Sequence, residues 1–147
     1  MTHQSTATPR TIAFIGAGNM ASAIFGGMVD AGYPADRIIA TARSRETLDA
    51  LEQRYGVSTT QDNAYAVSQA DVVVLGMGED GHTASLFPGQ IHDQKQLTHA
   101  VYGSPKPPAK RVSLSANSLS NNQQLLIMTT GQGKKAAIEQ WQAGVKL

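Results

Sequence analysis

The chain has 147 residues, a length that suits one domain built around one core. Charged residues make up only 16%, the net charge is +1 and aromatic residues are 5%, which argues against a nucleic-acid surface and a polybasic membrane face. The absence of cysteine excludes disulfides and thiolate metal sites and fits a reducing cytoplasm, and no apolar run approaches the ~20 residues that span a bilayer.

Residues 1–10 are polar, lack the apolar core of a signal peptide and read as a disordered leader. Residues 11–15 form a short apolar strand candidate that runs into Gly16-Ala17-Gly18-Asn19-Met20-Ala21, a G-x-G-x-x-A pattern. In that pattern the first glycine permits a tight turn, the second lets the backbone approach a pyrophosphate, and the small last residue lets the helix pack on its strand. The following helix puts Met20, Ala23, Ile24, Gly27, Met28 and Ala31 on one face at spacings of three and four, and Gly32 and Pro34 stop it.

Residues 37–42 read as a second strand. A site for NAD carries an acid near the end of this strand, whereas here Arg43-Ser44-Arg45 stands in its place, and guanidinium groups suit a 2′-phosphate. Ser44 reads either as the N-cap of the next helix or as a ligand contact. Leu48, Leu51 and Tyr55 form the inner face of that helix and Gly56 suits its end. Residues 57–59 are a short strand, 62–69 a short helix, and 71–75 a continuous apolar run of the kind buried on both faces of a parallel sheet. This run ends in Gly76-Met77-Gly78-Glu79-Asp80-Gly81-His82, after which residues 83–87 suit the first turns of a helix. Strand candidates follow at 97–102, 111–115 and 125–129, the last taken as buried. A polar connection covers 117–122, and a closing helix at 134–143 turns Ile138 and Trp141 inward. The order predicts an α/β fold: a Rossmann-like, doubly wound, mostly parallel sheet in three layers, forming a single unit over residues 11–147. In such a sheet the loops after the first and fourth strands flank one crevice, so residues 16–20 and 79–82 are expected to face each other.

Residues 11–75 resemble the N-terminal cofactor domain of pyrroline-5-carboxylate reductase, through Ile12-Ala13-Phe14-Ile15-Gly16-Ala17-Gly18-Asn19-Met20-Ala21, Gly26-Gly27, Asp62-Asn63-Ala64 and Ala70-Asp71-Val72-Val73-Val74-Leu75. The resemblance implies that Gly16, Gly18, Asn19 and Met20 hold the pyrophosphate of NADP(H), that Arg43, Ser44 and Arg45 meet its adenosine end, and that Asn63 touches a ribose. It stops at Gly76, where that family continues into a Lys-Pro pair and a helical domain for which the chain has no room, so no pyrroline-5-carboxylate reduction is expected.

From Gly76 onward the chain resembles 6-phosphogluconolactonase, through residues 75–89, Ser104-Pro105-Lys106-Pro107-Pro108, Arg111 and the Thr130-Gly131 pair before Lys134. That resemblance implies His82 as general base, Asp80 as the group that positions it or the substrate, and Lys106 and Arg111 as phosphate ligands. The chemistry is coherent. Lactone hydrolysis needs a base that titrates near neutrality, an oxyanion needs N–H donors such as those at the start of a helix at Thr83, and a phosphorylated sugar needs cations. Taken alone, His82 would equally read as an ordinary loop histidine and Lys106 as a solvated charge. The lactonase family's own glycine-rich phosphate loop and Asp-Glu-Arg segment are missing. His3, His92 and His99 receive no role, and no metal site is expected.

Two incomplete enzymes thus meet at an equivalent strand, which reads as an engineered or recombinant chimera. Three functions follow: an NADP(H)-binding module without turnover, a weak lactone hydrolase using His82, or a recombinant without a ligand. The partners implied are a dinucleotide or a sugar phosphate. Missing terminal segments make a homodimer, formed by segment exchange, an expected remedy.

Overall fold

The computed structural model describes residues 7–92 and 95–145, so His3 lies outside the described residues. Its centre is a five-stranded parallel sheet of β1 (Ile12–Ile15), β2 (Ile38–Thr41), β3 (Ser58–Thr60), β4 (Val72–Gly76) and β7 (Gln124–Met128), in the order β3-β2-β1-β4-β7. The strands β5 (Thr98–Val101) and β6 (Arg111–Leu114) pair antiparallel in a separate two-stranded sheet. The helices are α1 (Asn19–Asp30), α2 (Arg45–Tyr55), α3 (Asn63–Gln69), α4 (Ala116–Ser120) and α5 (Lys135–Gln142).

The period-two alternation of strands sorts the side chains into two cores. Phe14, Ile38, Ala40, Val72 and Val74 point to one face, where they meet Phe25 of α1 and Leu51 of α2. On the opposite face Ala13 and Ile39 meet Ala66 of α3, while Val73 and Leu75 meet Val67 of α3, Leu114 of β6 and Leu119 of α4. The result is the expected three-layer α/β arrangement. Burial of both faces explains why β2 and β4 are almost wholly apolar.

The carboxylate of Asp71 ties the entry ends of three strands together. It accepts from the Thr11 backbone N–H at 2.9 Å and from the Gln123 side chain at 3.3 Å. Its own N–H donates to the Thr11 carbonyl, and its carbonyl accepts from Gln124 N–H.

Five expectations need correction. The inward face of α1 is Ala21, Phe25 and Gly26, with Met28 and Val29 beside them, while Met20 and Ile24 are exposed. Phe25 decides this rotation, because it sits edge-on between Phe14 at 5.3 Å and Tyr55 at 5.5 Å. Residues 83–87 form no helix. Thr83 makes isolated bridges to Met77 and Leu86, and Ala84 takes a positive φ of 51°, so the chain turns tightly instead. Residues 117–122 are not a bare connection, because α4 lies there: Ser115 caps it by accepting from Ser118 N–H, and Leu119 is buried. The strand β7 is an edge strand, unpaired on its outer side among the described residues, and its Leu125 and Leu126, on opposite faces, are both exposed. On α5 the buried residue is Ala137, whereas Trp141 is 52% exposed.

Two adjacent glycines of α1 separate packing from helix propensity. A Cβ on Gly26 would lie 2.6 Å from the Tyr55 ring, whereas one on Gly27 would meet nothing within 4 Å. Alanine gains up to about 1 kcal/mol over glycine in a helix, and overpacking costs about 1–3 kcal/mol. Thermal denaturation is therefore expected to rank Gly27→Ala above the parent chain and Gly26→Ala below it.

Candidate functional site

The first strand ends at Ile15 and turns at Gly16, whose φ of +85° favours glycine. The fully buried Thr41, last residue of β2, fixes this loop: its hydroxyl accepts from Gly16 N–H at 3.0 Å and its carbonyl from Ala17 N–H at 2.6 Å. Gly18 is the N-cap of α1, so the first-turn amides of Asn19, Met20 and Ala21 have no carbonyl one turn earlier. They and the helix dipole favour an anion there.

Against this loop lies a cleft of about 580 Å³, lined by Gly16, Gly18, Asn19, Arg43, Ser44 and Asn63 among others. The lining contains no acidic residue. Of the eight sequence candidates for the cofactor, six therefore converge on one cleft. Met20 does not line it, since its sulfur lies 3.7 Å from the Thr130 hydroxyl. Arg45 turns away to an ion pair with Asp49 at 3.2 Å. Ser44 does act as an N-cap, accepting from Thr47 N–H, and its place in the cleft wall is compatible with that role. Sequence reasoning missed Thr41 and Gln61. Their only signal is position, at the end of a strand beside the glycine loop and just before α3.

The second group of candidates forms after β4. His82 Nδ1 lies 2.5 Å from Asp80 Oδ1, and the His82 backbone N–H donates to the same oxygen at 3.3 Å. With a proton on Nδ1, this contact leaves the Nε2 lone pair as the basic site. Burial pushes the Asp80 carboxyl up, but hydrogen bonds from the His82 ring and backbone and the charges of His82 and Lys106 outweigh it and hold the group below its ordinary value. Lys106 is thereby brought within electrostatic reach of the pair.

The approach of the two side chains requires a glycine. A Cβ on Gly78 would lie 2.1 Å from the His82 ring and 2.8 Å from Asp80 Oδ1. Lys134 anchors the same turn by donating to the Met77 carbonyl at 2.6 Å. The His82 ring also packs on Phe87 at 4.6 Å, and Arg111 lies over that Phe87 ring at 5.5 Å.

Arg111 departs from its expected role. Its Nη2 donates to the carbonyls of Lys106 and Pro107 at 2.8 and 2.7 Å, and its Nε to that of Pro108 at 3.0 Å. The guanidinium is thus spent largely on shaping the loop that carries Lys106. No helix forms at Thr83 to aim its first-turn N–H groups: the segment is a turn in which Leu86 N–H bonds the Thr83 carbonyl and Ser85 N–H the Ser113 hydroxyl. The strands β1 and β4 are neighbours as expected, yet the cleft at Gly16 opens towards Arg43, and neither Asp80 nor His82 is in its lining. His92 and His99, left without a role, pair with each other at 3.1 Å. Among the described residues no cluster of three or more His, Cys, Asp or Glu side chains could hold a metal ion.

The lowered Asp80 value sets a pH dependence. A carboxyl depressed in the folded state contributes stability that is full above the ordinary carboxylate range and is lost as pH falls through the lowered value. Asp80→Asn is expected to reduce the melting temperature near neutrality and to approach the parent chain only once the pH lies below the lowered Asp80 value. Gly78→Ala is expected to give a similar loss by driving the His82 ring away.

Comparison with known proteins follows the division of the site. The first stretch is similar to pyrroline-5-carboxylate reductase from Vibrio alginolyticus, 54% identical over 68 residues, which are 46% of this chain and 25% of that protein. A different part of the chain is similar to 6-phosphogluconolactonase from Rattus norvegicus, 39% identical over 71 residues, which are 47% of this chain and 28% of that protein. In each pairing the chain spans about a quarter of the relative's own length. The crystal structure of 6-phosphogluconolactonase from Thermotoga maritima shares the fold, with a TM-score of 0.66 over 94% of this chain and 78% of that one at 17% identity. No helix among the described residues is long and apolar enough to cross a membrane. The family model for glucosamine-6-phosphate isomerases/6-phosphogluconolactonase matches residues 17–146, across both stretches. The chain therefore belongs to the glucosamine-6-phosphate isomerase/6-phosphogluconolactonase family, with a first half that also resembles pyrroline-5-carboxylate reductase.

Proposed function

We propose that the chain is an engineered or recombinant composite, joined near the end of β4, that binds NADP(H) at the cleft beside α1 and does not turn it over. The observation that carries this reading is the gathering of Gly16, Gly18, Asn19, Arg43, Ser44 and Asn63 around one acid-free cleft. Bound there, NADP(H) would bring a hydride-transfer group. The chain's own residues would only hold it: the Asn19 amide and the N-terminal end of α1 the pyrophosphate, Arg43 the 2′-phosphate, and Asn63 a ribose hydroxyl. Arg45, paired with Asp49, contributes at most its charge.

The geometry of His82 favours a second reading, weak hydrolysis of a phosphorylated sugar lactone. His82 Nε2 would take a proton from water as the water oxygen bonds to the lactone carbonyl carbon. The ring C–O bond then breaks, and the proton passes to the departing oxygen, giving a hydroxy acid. Lys106 would attract the phosphate. Asp80 at 2.5 Å would orient the imidazole and stabilise its cation. The reaction is expected to be slow, because Arg111 is engaged with its own loop and a displacement of about 1 Å can cost about 100-fold.

The exposed edge of β7, with its uncharged Gln-Leu-Leu-Ile-Met sequence, supports self-association into a dimer, which light scattering at rising concentration would register. A cysteine-free chain of this kind fits the cytoplasm.

Two measurements test the functional readings. In a fluorescence titration NADPH is expected to bind more tightly than NADH, and Arg43→Ala to weaken NADPH about tenfold or more while leaving NADH nearly unchanged, since a charge-assisted contact is worth about 1.5–3 kcal/mol. Equal affinities would sink the first reading. Release of acid from 6-phosphogluconolactone above the spontaneous rate, abolished by His82→Ala, is expected from the second. A rate indifferent to that substitution would remove His82 from the chemistry.

A further inference from the structure

The cleft at Gly16 does not end where the sequence candidates end. A second groove of about 650 Å³ continues from it, and Arg43, Gln61 and Asn63 line both. Its far side belongs to the other half of the chain: Thr98 of β5, and Val112, Ser113 and Leu114 of β6. Leu114 fixes this two-stranded sheet in place, because it is buried against Val67, Val73 and Leu75. Val112, two residues earlier and on the same face of β6, lies nearer the other end of the strand and is 75% exposed.

The lining of this groove differs in character from that of the first. Ser113 is already satisfied, accepting from Ser85 N–H and donating to the Leu114 carbonyl. Asp62 accepts from Tyr65 N–H as the cap of α3, and the Gln61 amide donates to the Arg43 carbonyl. What remains for a ligand in the lining is the planar guanidinium of Arg43, the aliphatic surfaces of Ala64 and Val112, the Asn63 amide and the carbonyl oxygen of the Gln61 side chain. Those surfaces suit a flat, uncharged, nitrogen-rich ring better than a second phosphate. Guanidinium stacks on aromatic faces, an aliphatic wall takes the opposite face, and amides meet ring nitrogens.

We propose that β6 completes the nucleotide site, with the adenine ring seated in the second groove between Arg43 and Val112. The phosphates would then be held by the reductase-like half and the base by the lactonase-like half. This rests on the NADP(H) reading above and adds a specificity-determining residue, Val112, to it. An exposed valine between Ala100 across the strand pair and the groove has no packing task of its own in the described structure.

The test is a fluorescence titration of the full chain with NADPH, and with reduced nicotinamide mononucleotide, which lacks the adenosine half. Val112→Asp is expected to weaken NADPH at least tenfold and to leave the mononucleotide unchanged. Tyr102→Ala, exposed just after β5 but outside both grooves, should leave both unchanged. Hydrogen exchange on the unaltered chain gives an independent reading: NADPH should slow exchange at residues 111–114, even if the Val112 variant folds poorly. NADPH affinity untouched by Val112→Asp, or no protection of β6 in a chain that binds NADPH, would overturn the proposal alone. Failure of the unaltered chain to bind NADPH would overturn the reading beneath it, and the proposal with it.

Discussion

The structure depends on β4 having a partner on each side. It pairs with β1 along Ile12↔Val72 to Ile15↔Leu75, and with β7 along Val72↔Gln124 to Gly76↔Met128. One side of that pairing is contributed by the reductase-like stretch and the other by the lactonase-like stretch. Parallel pairing asks only for a matching spacing and an apolar side chain on each face, which β1, β4 and β7 all supply. Asp71 then fixes the register, because one carboxylate and one peptide unit hold Thr11, Gln123 and Gln124 at the same level. Two stretches that resemble different enzymes share one sheet here, and the constraint where they meet is generic in its side chains and specific only in its register.

Much of the first half was legible because its signals are local. The glycine pattern, the Ser44 cap, Gly56 at the end of α2 and the continuous run of β4 each announce themselves within a few residues, and each stands where it was read. The readings that failed depend on what lies across the fold. The face of α1 follows Phe25 into a pocket made by Phe14 and Tyr55, which periodicity cannot weigh against Ile24. Exposure of Leu125 and Leu126 on the edge strand β7 depends on what covers the faces of the sheet there, not on its apolar sequence. Residues 117–122 read as a polar connection, yet Ser118 and Leu119 are buried, and the Ser118 hydroxyl is satisfied by the Ser115 carbonyl.

The site itself was legible in its residue types and less so in its division of labour. Arg43 and Arg45 are equivalent in sequence, but one lines the cleft and the other pairs with Asp49 on the surface of α2. Arg111 and Lys106 look like two phosphate ligands. The fold makes one of them the scaffold of the other, and both Arg111 and His82 contact the Phe87 ring. A cation's charge is visible in a sequence, whereas the acceptor that already occupies it is not.

The turn after β4 has a further consequence for how such a site can be inherited. Gly78, Asp80, His82 and Phe87 fall within ten residues of one another, and their mutual contacts need little from elsewhere beyond the Lys134 anchor. A dyad built this compactly travels as a block: any exchange of genetic material that keeps the block whole keeps its geometry. A grip on phosphate assembled from distant segments has no such protection and is dismantled by the same exchange. Compactness along the chain thus decides which parts of an enzyme's chemistry outlive a change of host fold, and which must be built again.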